Sequence, residues 1–562
     1  MRAARVRLPD DGPILLLRLA ETRCGNGEFA ATNLRRAATL MPRSAGPWLA
    51  LARRDEAQGK FDAAAGHYAQ AAQRQPRRVP AWSGLGRAML QLHRAQEAVD
   101  AFGTALGLRD DAVDWGNLAI ALEAMDRTPE ALSAAQRAAS LAPELAALHA
   151  NVGHLLYRLG RPREAAAALH RALAFAPRAA DVLNKLGCVY CAWGRHDESE
   201  ARFREALAVD PACAAALVNL GTQLLHLRRT AEGRQCLHDA LALPPHEADA
   251  RGEATRVLAM LEWEETLQPS IAAAVLNESP ASLVPVLELT PSARMSLEPG
   301  RLAQFARLAQ GESALRAIVA GFPRLESVPQ AAAERWPAIE AHFASHRGSA
   351  PVDVHQTLTW LARRTQSDAS ETPENLDVVR YERAVRLAAQ LNPPDPEHGA
   401  AWEAWIRFWH ATLTWHRPRL ASGLIKISST WMTARPLVRW TPPEQVAGTL
   451  RGLFTEVYPQ FSPGPCRAAG AYFAVLELHG FVDGNGRLAR FLANRELVAA
   501  GFHPMLLSDS MRRRLSNVLE MVRQRGDLQE LLALFAEGAA FAVDIATACA
   551  MPRPDLASVT TR

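Results

Sequence analysis

The sequence predicts an all-α protein: a solenoid of helix pairs, a helical connector, and a helical domain carrying a small β-hairpin flap. Two observations carry that prediction. Prolines and small residues recur at a fixed interval through the first 247 residues, and the C-terminal part holds a polar, glycine-rich loop between two stretches that are apolar at helical spacing. A chain of 562 residues is long enough for several separate cores.

Pro42, Pro76, Pro143, Pro177, Pro211 and Pro245 share a 34-residue register, with Asp110 in the Pro position of one shortened unit. The eighth position of each unit is small (Ala52, Gly86, Ala119, Gly153, Gly187, Gly221), and the twenty-seventh is always Ala (Ala71, Ala105, Ala138, Ala172, Ala206, Ala240). The twenty-fourth is large in Tyr68, Phe102, Leu169, Phe203 and Leu237. Small residues where two helices cross, large ones between them and Pro closing the second helix make up the tetratricopeptide pattern. Six clear repeats span residues 45–247, and a degenerate one covers 11–44. A solenoid of this kind binds peptides or protein domains, so target recognition is expected; a spacer or dimerisation platform is the alternative. Trp48, Trp82 and Trp115, at fourth positions, are expected in the core, as are Trp402, Trp405 and Trp409 at helical spacing.

Residues 248–350 read as a helical connector, 351–545 as the second domain, and 546–562 as a loose tail with Pro552 and Pro554. The chemistry concentrates in His479-Gly480-Phe481-Val482-Asp483-Gly484-Asn485-Gly486-Arg487, closed by Arg490. Apolar periodicity on both sides, with Gly501 as a stop signal, makes this helix, tight loop, helix. Gly484 and Gly486 allow backbone N–H groups to approach an anion, and the second helix adds its positive N-terminus. Arg487, Arg490 and Asn494 share one helix face, suited to more than one phosphate group. An aspartate among phosphate-binding groups calls for a cation, and Mg²⁺ takes one or two carboxylates plus substrate phosphates. Asp483 is its expected ligand, and His479 is the base within reach.

His479 to Arg490 resembles the signature of the Fic family, whose members mostly transfer AMP from ATP to a Ser, Thr or Tyr hydroxyl of a target protein. The resemblance extends across roughly the last third of the chain. It implies His479 as general base and Asp483 as magnesium ligand. It implies Gly484, Asn485 and Gly486 as the anion hole, Arg487 and Arg490 on the β- and γ-phosphates, and Asn494 near the nucleotide sugar. Gly480 departs from the family's Pro. Ser370-Glu371-Thr372-Pro373-Glu374-Asn375 fits the family's inhibitory pattern, through Ser370, Glu374 and Asn375; its Glu would occupy Arg490. Gly423 to Met432 resembles the family's flap, which pairs with a target backbone as an added strand. The implied activity is autoinhibited protein adenylylation using Mg·ATP, with removal of AMP by the same site left open. Two alternatives stand beside it: a Fic-type transferase using UMP, phosphocholine or phosphate donors, and a non-catalytic tetratricopeptide binding scaffold. Relatives of this architecture often dimerise, so a homodimer is one partner the resemblance allows.

Composition adds exclusions. A net charge of +4 with no basic stripe argues against nucleic acid. Ile14 to Leu17, followed by Arg18, is too short for a signal or membrane segment. Seven scattered cysteines form no disulfide framework, and Cys188-x-x-Cys191 lies inside a repeat helix without a second pair. A cytoplasmic protein follows as the expectation, with a secreted effector left open. The near absence of lysine (Lys60, Lys185 and Lys426 only) suggests a GC-rich bacterial genome.

Overall fold

A computed structural model describes residues 28–244, 248–327, 330–345, 354–363, 373–414, 423–426 and 441–550. The chain divides into two compact units, one running to Leu220 and the other starting at Gly221. Among the described residues there is no strand, only an isolated antiparallel bridge between Arg324 and Phe502. The all-α class holds. The expected flap beyond Lys426 lies outside the described residues, and Gly423 to Lys426 has no strand character.

In the first unit, helix pairs follow the sequence register: Gly46–Ala57 with Phe61–Arg74, Val79–Gln91 with Ala95–Leu108, Ala112–Ala124 with Thr128–Leu141, Ala146–Arg158 with Pro162–Phe175, and Ala180–Ala192 with His196–Val209. The small eighth and large twenty-fourth positions meet. A Cβ added at Gly86 would stand 2.7 Å from the Phe102 ring, and one at Gly187 2.5 Å from Phe203. Any larger residue would force the two helices apart. The invariant alanines Ala71, Ala105, Ala138, Ala172 and Ala206 are fully buried. The degenerate repeat supplies the helix Glu28–Leu40, and its residues 11–27 lie outside the description.

The fourth-position rings differ from expectation. Trp48, Trp82 and Trp115 are only partly buried against the core. Trp82 and Trp115 act at the turn between units, as does His149: Trp82 Nε1 donates to the Pro76 carbonyl at 2.8 Å, Trp115 Nε1 to the Asp110 carboxylate, and His149 Nε2 bonds the Pro143 carbonyl at 2.8 Å, whereas Trp48 Nε1 is buried without a hydrogen bond. A ring with an N–H satisfies a carbonyl left open at the end of the preceding helix. Where Leu183 replaces it, the side chain is buried instead. The Cys188 thiol is pushed by burial up to about 12, which suppresses the reactive thiolate.

The site is built from helices of the second unit: α1 (Ala248–Leu276), α2 (Pro299–Gln310), α3 (Gln330–Ser345), α4 (Pro373–Ala388), α5 (Gly399–Thr414), α6 (Pro443–Gly452), α7 (Pro465–Leu478), α8 (Asn485–Ala499), α9 (Asp509–Arg525) and α10 (Gln529–Ala550). Helix α5 lies in the middle of the core, where Trp402, Trp405 and Trp409 are buried together with Phe408 and Leu413. Trp409 rests on Phe491 of α8, with ring centroids 4.7 Å apart. Within α10, Gln529–Cys549 is long and apolar enough to cross a membrane, and half of that stretch is buried in the unit; Leu531, Leu532 and Phe535 join its core.

Candidate active site

Helix α7 is apolar on nearly every face and ends at His479, whose backbone turns left-handed with φ 42° and ψ 49°. A non-glycine residue in that region carries strain of about 1–2 kcal/mol, of the kind that collects at functional sites. Five residues on, Gly484 is also left-handed, with φ 83°, and opens α8. Two left-handed residues thus fold the chain back sharply, and α7 and α8 pack closely against each other. Phe481 is buried beneath the loop.

Asn485 braces the loop. Its Oδ1 accepts from the Phe481 N–H at 3.1 Å, and its Nδ2 donates to the Phe481 carbonyl at 2.8 Å. Its side chain is therefore a scaffold, and only its backbone N–H is offered to an anion at the helix N-terminus. Gly484 has no room for a side chain: a Cβ would lie 2.8 Å from Thr414 and 2.9 Å from His410. Gly484→Ala should cost about 2–4 kcal/mol, from left-handed strain plus overpacking, measured by denaturant unfolding of the whole chain. At Gly480, where the family has Pro, a Cβ would stand 3.0 Å from Val446 of α6. Glycine at this position lets α6 sit close to the loop.

Burial and the neighbouring Lys426 charge lower the His479 imidazole to about 4, with Asp483 opposing them. The ring is therefore neutral at physiological pH, as a proton acceptor must be. The Asp483 carboxylate is partly exposed and accepts from the Gly484 N–H at 2.6 Å. This leaves lone pairs for a cation. No group of three or more His, Cys, Asp or Glu side chains that could hold a metal occurs among the described residues. The donor set fits a metal that arrives with phosphates, as Mg²⁺ does, rather than one held by protein alone.

The arginines do share a face, and it points at α3 and α4. Arg487 pairs with Asp377 of α4, both partners being buried. Arg490 donates to the Ala344 carbonyl near the end of α3 at 3.0 Å, while its Nε is buried without a hydrogen bond. Asn494, expected near a nucleotide sugar, is held by protein groups. Its Nδ2 donates to Glu340 at 3.0 Å and to the Met505 carbonyl at 3.1 Å, and its Oδ1 accepts from the Met505 N–H at 3.0 Å. Every polar atom of that side chain is taken by protein.

Of the expected inhibitory residues, Ser370 lies outside the described residues. Glu374 falls in the first turn of α4, with its side chain outside the description, and Asn375 is half-buried in the same turn. The carboxylate seen on an arginine of the α8 face is Asp377, one turn beyond Glu374. It is a residue that sequence reasoning missed, and extending the helical face of Glu374 by three positions would have found it.

Residues 423–426, where the flap was expected to begin, are pinned although irregular. Gly423 N–H donates to His410 Nδ1 at 2.9 Å, and the Gly423 carbonyl accepts from Arg407 at 3.1 Å. Ile425 N–H reaches Glu264 at 2.9 Å, and Lys426 N–H reaches the Gly480 carbonyl at 2.9 Å. The last bond joins the flap root directly to the loop.

The Fic/DOC family matches residues 403–497, and tetratricopeptide repeat families match 56–119, 144–212 and 184–248. Protein adenylyltransferase Fic of Drosophila virilis and that of Drosophila melanogaster are each 33% identical over 70 residues, 12% of this chain and 14% of theirs. The chain thus spans only about a seventh of the length of these relatives. Among solved structures, YrrB, a tetratricopeptide protein with an unusual peptide-binding site, is 20% identical with a TM-score of 0.30, over 34% of this chain and 97% of that one. A tetratricopeptide repeat protein from Parabacteroides merdae is 12% identical with a TM-score of 0.38, over 43% and 97%. The chain combines N-terminal tetratricopeptide repeats with a C-terminal Fic domain.

Proposed function

We propose that this protein is an autoinhibited protein adenylyltransferase, whose repeats select or position the target. The observation that carries this is the placement of His479 at the end of α7, beside a glycine-lined helix N-terminus followed by two arginines. A target hydroxyl oxygen attacks the α-phosphorus of ATP, the bond to pyrophosphate breaks, and the hydroxyl proton passes to His479. The backbone N–H groups at the start of α8 face the charge that grows on the phosphate oxygens. Arg487 and Arg490 hold the outer phosphates. Asp483 would hold Mg²⁺, which, when bound, neutralises charge on the phosphates.

Autoinhibition draws support from Asp377 on Arg487: in this arrangement an outer phosphate and a carboxylate compete for one guanidinium. Glu374 stands one turn earlier on α4 and is the expected second member of the block.

The test is to incubate the Glu374→Gly chain with ATP labelled at the α-phosphate and look for covalent label by mass spectrometry. The expected result is an adenylate adduct on the protein. Adding His479→Ala should lower the rate by about 10²–10⁴-fold while Mg·ATP binding persists. Label from UTP, CDP-choline or the γ-phosphate alone would replace the donor. Absence of label from every donor would leave the repeats as a binding scaffold.

A further inference from the structure

His410, near the C-terminal end of α5, is fully buried and belongs to none of the roles above. Its ring lies flat on Phe481, with centroids 3.8 Å apart and planes 6° apart. Its Nε2 is 2.8 Å from the Asp483 carbonyl oxygen, and its Nδ1 is 2.9 Å from the Gly423 backbone nitrogen. Those two partners decide the tautomer. A carbonyl oxygen can only accept, so Nε2 carries the hydrogen; a backbone N–H can only donate, so Nδ1 is bare. An imidazolium could not serve both.

Two of the three contacts fall on Phe481 and Asp483, which with Gly484 set the path from His479 to the start of α8. The ring edge occupies the space a Gly484 side chain would need, with Nε2 2.9 Å from that missing Cβ. The same ring holds Gly423, so the flap root and the anion loop are fastened to one side chain. We propose that His410 is the positioning residue of this loop: its ring fixes the Asp483 carbonyl and the Gly423 backbone together, and so sets the angle at which the loop meets the nucleotide phosphates. This rests on the phosphate-transfer reading of residues 479–490.

His410→Phe keeps a flat ring against Phe481 and removes both hydrogen bonds. His410→Gln returns a donor and an acceptor on one side chain. Both are made in the full-length Glu374→Gly chain. Transfer by the Phe variant should fall about 100-fold in kcat, the loss that follows a misplacement of about 1 Å. KM for Mg·ATP should move by less than roughly threefold, since ground-state binding is spared. The Gln variant should recover to within about tenfold of the parent. Hydrogen exchange gives a readout independent of turnover: the Gly423 amide should exchange at least about tenfold faster in the Phe variant and return toward the parent rate in the Gln variant. A Phe variant with parental kcat, equal losses in Phe and Gln, or an unchanged Gly423 exchange rate would each overturn the proposal. If the Glu374→Gly parent transfers nothing from any donor, the functional reading fails. The exchange rate, and the Mg·ATP protection of amides 484–487 in parent against Phe variant, then decide the positioning role alone.

Discussion

Asp377→Asn should bind Mg·ATP about 5–150-fold more tightly than the parent while unfolding at lower denaturant concentration. Both effects arise from one ion pair. The Asp377 and Arg487 side chains are almost wholly buried, so the carboxylate neutralises the guanidinium in a medium that screens poorly. An ATP phosphate reaching Arg487 must first displace that carboxylate, and the pair's interaction is subtracted from the binding energy. Coupling between competing ligands of this type amounts to about 1–3 kcal/mol. Asparagine keeps an acceptor of similar shape without the charge, so the guanidinium is freed for phosphate. The apo chain then holds a buried cation with a weaker partner, which lowers stability by about 1–3 kcal/mol. Calorimetric titration with Mg·ATP and denaturant unfolding of the same preparation check the two signs separately. A purely structural role for the pair would lower both stability and affinity, so a loss of ATP affinity would sink the inhibitory role of Asp377. Combining Asp377→Asn with Glu374→Gly should give less than the sum of the two effects if both residues belong to one block.

How much of this was legible in the sequence depended on distance along the chain. The repeats were readable because each meeting of Gly86 with Phe102, or Gly187 with Phe203, falls within one unit and recurs in the next. The stretch of residues 479–490 was readable because its histidine, its glycines and its arginines are contiguous. The groups that complete the site come from far away: Asp377 meets Arg487 across 110 residues, and His410 meets Asp483 across 73. A lone His in the apolar run around Trp409 has the pattern of a core residue, and nothing local marks its ring as a clamp. The partners of Asn494 were out of reach for a related reason. Its helix face was assigned correctly, but what covers a face is decided by tertiary packing, here Glu340 and Met505. The fourth-position tryptophans show the same limit, since register gives direction without depth.

Arg407→Leu should be the most destabilising single change near the site, at about 3–5 kcal/mol. Arg407 is fully buried, donates to both oxygens of Glu264 at 2.7 and 3.1 Å, to Glu403 at 2.8 Å, and to the Gly423 carbonyl. Burial alone would lower its affinity for the proton, yet the two carboxylates raise it further. Burial likewise raises Glu264, but Arg407 and Arg294 together hold it below the ordinary carboxylate range. Leucine fits the apolar surroundings and leaves Glu264 with Arg294, and Glu403 with Arg451, each short of one partner. The sign of the pH response follows. In the parent, a depressed Glu264 adds stability above the unfolded carboxylate pKa, and this is lost as pH falls through the folded value. In the variant the under-compensated Glu264 gains by taking up a proton, so the gap between variant and parent should narrow as pH drops from 7 toward 5. Adding Glu264→Gln should recover part of the loss, because removing both charges is cheaper than stranding one. Unfolding curves at the two pH values measure all of this. A gap that widens on acidification, or a double variant weaker than the single by the full cost of Glu264→Gln, would mean the network holds the flap root by packing rather than by charge.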